Sequence, residues 1–115
     1  MTITRLALAA AATTLAFPAI SATQDELREA LVGNTFQGDM GGGGYSSYFA
    51  DDGTYYDTDT SGVYEITEKG VCYPDTDFGC YQAKLDGTVL EWIKDGESAG
   101  TGEILEGDAL DLSAE

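Results

Sequence analysis

The chain predicts a mainly β fold: a small antiparallel up-and-down β-barrel of about eight strands, preceded by one short N-terminal helix. Three observations carry that expectation. From Asn34 onward apolar residues recur with a period of two, as where Tyr81, Ala83 and Leu85 alternate with Cys80, Gln82 and Lys84; this is the pattern of a strand with one buried face. Between such runs stand Asp52-Gly53, Lys69-Gly70, Asp86-Gly87, Asp95-Gly96 and Gly107-Asp108, and Asp-Gly in that setting is the strongest short-range hairpin signal. Successive hairpins make a meander, and a meander of many short strands removes its exposed edges best by closing on itself.

At the start, Arg5 precedes an apolar run of Ala and Leu from Leu6 to Ile20, broken by Thr13, Thr14 and Pro18 and followed by Ser21-Ala22. A positive start, a short apolar centre and small closing residues describe a cleavable secretory leader rather than a membrane span. Cleavage is expected after Ala22, with Ser21 as second choice, and no lipobox cysteine is present to anchor a lipid. Residues 1–22 are thus read as leader and residues 23–115 as a single barrel domain, periplasmic or secreted and not inserted in the membrane. A domain of that length has room for one modest core.

The chain carries 21 acidic and five basic residues, a net charge of −16, and no histidine. Such charge repels nucleic acid and anionic lipid head groups. It suits a basic partner, cations, or a salty habitat in which an acidic surface keeps a monomer in solution.

Thr23-Gln24-Asp25-Glu26 has the form of a capping box, in which the N-cap hydroxyl and the N3 carboxylate each satisfy an orphan backbone N–H. Leu27, Ala30 and Leu31 follow at helical spacing and Gly33 supplies a stop, so a helix over 24–32 is expected, covering one end of the barrel. Strands are expected at 34–37, 46–50, 54–57, 63–68, 71–73, 80–85, 88–94, 100–105 and 109–112. Gly41, Gly42, Gly43 and Gly44 form the one low-complexity patch: a flexible connection, or a mobile lid with Met40 and Tyr45 as its edges.

Cys72 and Cys80 are the only cysteines, and the residues between them include Pro74, Asp75 and Gly79, which are turn formers. If the register closes at that loop, the two cysteines face each other across adjacent strands on the wetter face, within reach of a disulfide. In a loop this short the bond would contribute about 2.5 kcal/mol on the chain-entropy model. Two reduced thiols are the alternative in a reducing compartment. A metal pair lacks the further Cys or His that a zinc site needs.

Trp92, Tyr64, Tyr81, Tyr48 and Phe36 are the expected inward rings. A small barrel is either filled by its own side chains or holds one small ligand, and so many rings favour filling. Any cavity should lie among Tyr48, Tyr64, Tyr81 and Trp92. Asp57-x-Asp59-x-Ser61-Gly62 with Glu68 has the spacing of an EF-hand calcium loop. Strand-like sequence flanks it where helices belong, so a polar hairpin turn is the preferred reading. Asp57, Asp59 and Ser61 remain only as a weak partial cation site, and no metal is assigned.

Several of these pieces together carry a resemblance. They are Gly33-Asn34-Thr35-Phe36, Tyr48 ahead of Asp52-Gly53-Thr54, Gly62-x-Tyr64-x-Ile66, Gly70-x-Cys72-Tyr73, Cys80-Tyr81 and the late Asp95-Gly96. The chain resembles the small secreted bacterial proteins with a calycin-like (lipocalin-like) barrel and no assigned function, in which a Trp often stands where this chain has Tyr64. The resemblance spans nearly all of residues 23–115, but its motifs are short and structural. It implies an up-and-down barrel with one hairpin disulfide, and it brings no catalytic residue. A more distant likeness, in layout alone, is to secreted metalloprotease inhibitors.

Without histidine the Ser-His-Asp and Cys-His arrangements are excluded, as are His-ligated zinc and haem. No glycine-rich phosphate loop ending in Lys-Ser/Thr occurs, and no pair stands out among the 21 acids as a glycosidase couple. The chain is therefore read as a non-enzyme without a cofactor. It is expected to bind a small molecule or an envelope protein. The alternative is a protease-inhibitor-like or other interaction module acting through 23–32 or the glycine loop.

Overall fold

The computed structural model describes residues 21–113, so most of the expected leader lies outside the described residues. Helix α1 (Gln24–Leu31) is followed by nine strand segments. These are β1 (Asn34–Asp39), β2 (Gly44–Phe49), β3 (Thr54–Asp57), β4 (Ser61–Val63), β5 (Glu65–Thr67), β6 (Gly70–Tyr73), β7 (Gly79–Asp86), β8 (Val89–Lys94) and β9 (Glu97–Leu105). All pairings are antiparallel, in the order β4-β3-β2-β1-β9-β8-β7-β6-β5. Every chain-adjacent pair is also sheet-adjacent except β4 and β5, and β9 returns to β1.

The two outer segments are halves of one strand bent at Tyr64, the single residue between them. One half pairs with β3 and the other with β6. The result is a nearly closed barrel, eight strands if the bent one is counted once. The Tyr64 amide, released from the ladder, donates to Gly53 O at 2.9 Å, and its hydroxyl donates to Ala50 O at 2.6 Å.

Helix α1 starts as its sequence requires. Thr23 Oγ1 accepts from the Glu26 amide at 3.2 Å and Glu26 Oε1 accepts from the Thr23 amide at 2.8 Å. Leu27 and Leu31 are 1% and 0% exposed, each worth roughly 1.5–3 kcal/mol of burial, and they close one end of the barrel. From the same helix Gln24 Nε2 and an Arg28 guanidinium N–H both donate to Ile66 O at 3.2 Å, covering a carbonyl on the free edge of β5. Ala22, just before the expected cleavage point, donates its amide to Ala83 O at 2.7 Å.

Core packing sets large rings beside small neighbours. Trp92 lies between Ala83 on β7 and Gly100 on β9. Gly38 and Gly102 are partners where β1 and β9 cross. A Cβ on Gly102 would lie 2.3 Å from Gln37 O and 2.7 Å from the Phe36 ring, so only glycine admits that ring. The β8–β9 turn is Asp95-Gly96 with φ of 53° and 84°, the doubly left-handed pair that a two-residue hairpin demands.

Two expectations need correction. Residues 109–112 form no strand. The segment after β9 turns back over the outer face of β1 to β3, where Thr35 Oγ1 donates to Gly107 O at 2.6 Å and accepts from the Ala109 amide at 3.1 Å, and Leu112 comes to lie beside Tyr56. Gly107-Asp108 therefore turns the tail and joins no hairpin. The Cys72–Cys80 disulfide forms between directly opposed residues, Cα atoms 4.0 Å apart, but Cys72 is only 9% exposed. Its face of the sheet is outward yet covered by Thr67, whose Oγ1 lies 3.6 Å from the sulfur. Among the described residues no helix is long and apolar enough to cross a membrane.

Candidate functional site

Opposite the helix, the barrel mouth is formed by the β1–β2, β3–β4, β6–β7 and β8–β9 connections. Within it lies a recess of about 160 Å³ lined by Met40, Tyr45, Tyr73, Phe78, Tyr81 and Trp92. Strand period explains who arrives there. Tyr45 shares the inward face of β2 with buried Ser47 and Phe49, and Tyr73 shares that of β6 with buried Val71. Tyr81 and Trp92 come from β7 and β8, and Phe78 from the disulfide-closed loop.

The rings are set edge to face, the arrangement their quadrupoles favour. Tyr73 meets Phe78 at 5.8 Å and 83°, and Tyr81 at 6.2 Å and 79°, while Tyr81 meets Trp92 at 6.2 Å and 76°. Behind Tyr45 sits Asp57, the inward end of β3, whose Oδ1 accepts from the Tyr45 hydroxyl at 3.0 Å. Burial raises the Asp57 pKa, against the lowering influence of the Ser47 and Tyr45 hydroxyls. The Ser47 oxygen is near enough to influence that carboxyl, yet it has no hydrogen-bond partner of acceptable geometry. Burial, then the Asp57 charge, raises the Tyr45 and Tyr55 hydroxyls. Tyr73 is pushed well up by burial, then by Tyr45 and Asp57. These phenols are neutral hydrogen-bonding groups throughout the physiological range. Trp92 Nε1 is buried without a partner.

Among the described residues one ammonium belongs to the mouth. Lys94 Nζ lies 5.1 Å from the centre of the Tyr81 ring and donates to Phe78 O at 2.7 Å and Cys80 O at 3.4 Å. The glycine patch is a compact turn: Met40 N–H donates to Gly43 O at 3.1 Å, the Gly42 amide donates to Asp39 Oδ1 at 3.0 Å, and Gly44 already belongs to β2.

Of the four residues expected around a cavity, Tyr81 and Trp92 meet at the recess. Tyr64 lies toward the closed end against Phe49, ring centres 5.0 Å apart. Tyr48 is on the outer face, stacked at 6.2 Å on its cross-strand partner Tyr56. Strand β2 carries aromatics in both phases, Tyr45 and Phe49 in one and Tyr48 in the other, so the alternation alone does not say which faces in. A small buried serine, Ser47, decided it. Tyr73 and Phe78 were not foreseen as site residues, although Tyr73 shares a phase with Val71, and Asp57 was named only as part of a partial cation site and not as the partner of Tyr45.

Asp57, Asp59 and Ser61 border one surface pocket of about 320 Å³ with Tyr56, Thr60 and Leu112. The Asp57 carboxylate accepts from Tyr45, Asp59 and Ser61 are exposed, and Glu68, the expected bidentate carboxylate, lies in the β5–β6 turn at the opposite end. Among the described residues no three His, Cys, Asp or Glu side chains are grouped to hold a metal ion. A wider groove of about 700 Å³ runs along the outer face beside the cystine, bordered by Glu65, Thr67, Pro74 and Thr76. It is larger but shallow, whereas the mouth recess is walled by rings from four strands and one loop. The recess is accordingly the candidate site. No protein-family model matches the chain, and no curated protein or solved structure is significantly similar to it.

Proposed function

We propose that this chain is an exported, non-enzymatic binding protein with a calycin-like barrel whose mouth recess takes one small ligand. The observation that carries the reading is the recess itself: a concave, mostly apolar site with a few polar groups at its wall, the usual form of a small-molecule site. Its size suits a single ring or a compact head group, since an apolar cavity of about 150 Å³ accommodates benzene. The unpartnered Trp92 Nε1 adds weight, because a buried orphan donor costs roughly 1–3 kcal/mol and such costs concentrate at functional sites. Export is supported by the leader-like residues 1–22 and by the disulfide, which persists in oxidising compartments. A non-catalytic role is supported by the chemistry of the wall, where burial holds the Tyr45 and Tyr73 phenols neutral and Asp57 already accepts from Tyr45.

The competing reading is a protein-interaction module acting through the N-terminal segment or the glycine loop. Helix α1 spends its apolar face on Leu27 and Leu31 inside the barrel, which favours the mouth over the N-terminal segment as the contact surface. The test is a proton–nitrogen NMR titration with a mixture of single-ring and small alkyl probes. The Trp92 indole and the amides of Met40, Tyr45 and Phe78 should shift saturably. If every probe leaves them unmoved, the small-ligand reading falls and surface recognition replaces it.

A further inference from the structure

We infer that the guest of the mouth recess is a small organic cation, a quaternary or alkyl-ammonium head group held against the electron-rich rings of Tyr45, Tyr73, Tyr81 and Trp92. This rests on the mouth being a binding site and names the class of ligand it selects.

The first reason is the wall. A neutral apolar guest is served equally well by Leu, Ile and Val, yet three tyrosines, a tryptophan, Phe78 and the Met40 thioether line this recess. Tryptophan and tyrosine faces are what attract cations, and several rings around one ammonium form the aromatic cage. Consecutive rings stand at 76° to 83° to one another, so the wall turns from ring to ring and a compact guest meets it from more than one side.

Charge is the second. Asp57, Asp59, Asp75, Asp77, Asp95 and Glu97 belong to the mouth loops or the strand ends beside them, and among the described residues Lys94 is the only base there. With a net charge of −16 over the chain, the field at the opening concentrates cations and excludes anions. Asp57 also brings a carboxylate to the back of Tyr45.

Third, the mouth already binds an ammonium. Lys94 lies over Tyr81 with two carbonyl acceptors, so the local chemistry accommodates a cation on a ring. Lys94 does not line the recess and leaves its other rings to a guest. The volume admits the head group, and any longer substituent would leave through the open mouth.

The test uses residues 23–115 with the disulfide intact. Trp92 is the only tryptophan, so intrinsic emission reports on the recess directly. Choline is titrated against its uncharged carbon isostere 3,3-dimethylbutan-1-ol, with ionic strength held constant by sodium chloride. Choline should shift Trp92 emission saturably and bind at least about tenfold more tightly than the alcohol, as cation–π contacts in a desolvated site would produce. Phe78→Ala, on an exposed loop, should keep the melting temperature and weaken choline by roughly threefold or more. Tyr81→Leu should weaken it further.

Equal or tighter binding of the alcohol overturns the cation inference while leaving the mouth as a binding site. The same holds if neutral probes shift the indole in the NMR titration and choline does not. If no probe of either kind binds, the binding reading fails as well. A response reproduced by sodium chloride alone, or unchanged in both Phe78→Ala and Tyr81→Leu, also overturns the inference.

Discussion

The two ends of this barrel are built from similar residues put to opposite uses. At the helix end the polar groups that stand out are all paired. Tyr64 bonds Ala50, Thr35 bonds Gly107 and Ala109, and Asn34 donates to Ala30 O at 2.8 Å while accepting from the Gly107 amide at 3.0 Å. At the mouth, rings outnumber partners, and a buried indole N–H is left over. A tyrosine whose hydroxyl is tied to backbone is structural, whereas a group of rings around a recess is capacity held for something else. What distinguishes the ends is satisfaction of polar groups and closure of volume, more than residue type.

Substitutions at each end should therefore separate stability from binding. The largest effect is expected from Leu31→Ala, which opens a cavity beneath the helix. It should lower the unfolding free energy by about 3 kcal/mol in a denaturant titration and leave affinity at the mouth unchanged wherever the protein is still folded. Unchanged stability would mean that the helix is not part of the core.

Removing the disulfide with Cys72→Ala and Cys80→Ala together should cost about 2–3 kcal/mol. Because the bond closes the loop bearing Phe78, this variant should also weaken mouth binding, which Leu31→Ala should not.

Tyr64→Phe deletes one hydroxyl and should cost about 1 kcal/mol at neutral pH. It carries a pH signature too. Burial, then Asp51 and Asp52, pushes the Tyr64 pKa up to about 12. The unfolded chain gives up this proton near the ordinary tyrosine value of 10.0, so the stability from neutral Tyr64 is full below that pH and is lost between it and the raised value. Thermal unfolding in that alkaline window should fall less steeply for Tyr64→Phe.

The smallest effect is at the mouth. Asp57 holds its proton more tightly folded than unfolded, so its contribution grows as pH falls through the raised value and is lost as pH rises through it. Asp57→Asn should slightly raise the melting temperature at neutral pH and flatten that part of the acid profile. It should also reduce the preference for choline over its isostere.

Much of the scaffold could be read along the chain because it rests on local chemistry. The capping box at Thr23 and Glu26, the Asp95-Gly96 turn and the alternation through 80–85 each depend on neighbours a few residues away. The disulfide followed from the same reasoning, since a short turn-rich loop brings its ends together. The mouth was harder. Met40 and Tyr45 could be named as edges of the glycine turn, but Tyr73 and Phe78 join Tyr81 and Trp92 only after β6 and β7 are wound onto the same side as β2. The segment 109–112 alternated like a strand, but the sheet closes when β9 reaches β1, so no edge remained for it to join.

By itself, then, the amino-acid order determined that this chain makes hairpins, where they turn, which cysteines meet and that its charge is strongly negative, because each of those is settled within one or two turns of backbone. Tertiary structure alone decided which face of β2 points inward, where the barrel seam falls at Tyr64 and which rings surround the recess. Those outcomes depend on how the strands coil around one another, and that is set by packing a Trp or Phe ring against a Gly or Ala on a neighbouring strand, a pairing between residues distant along the chain.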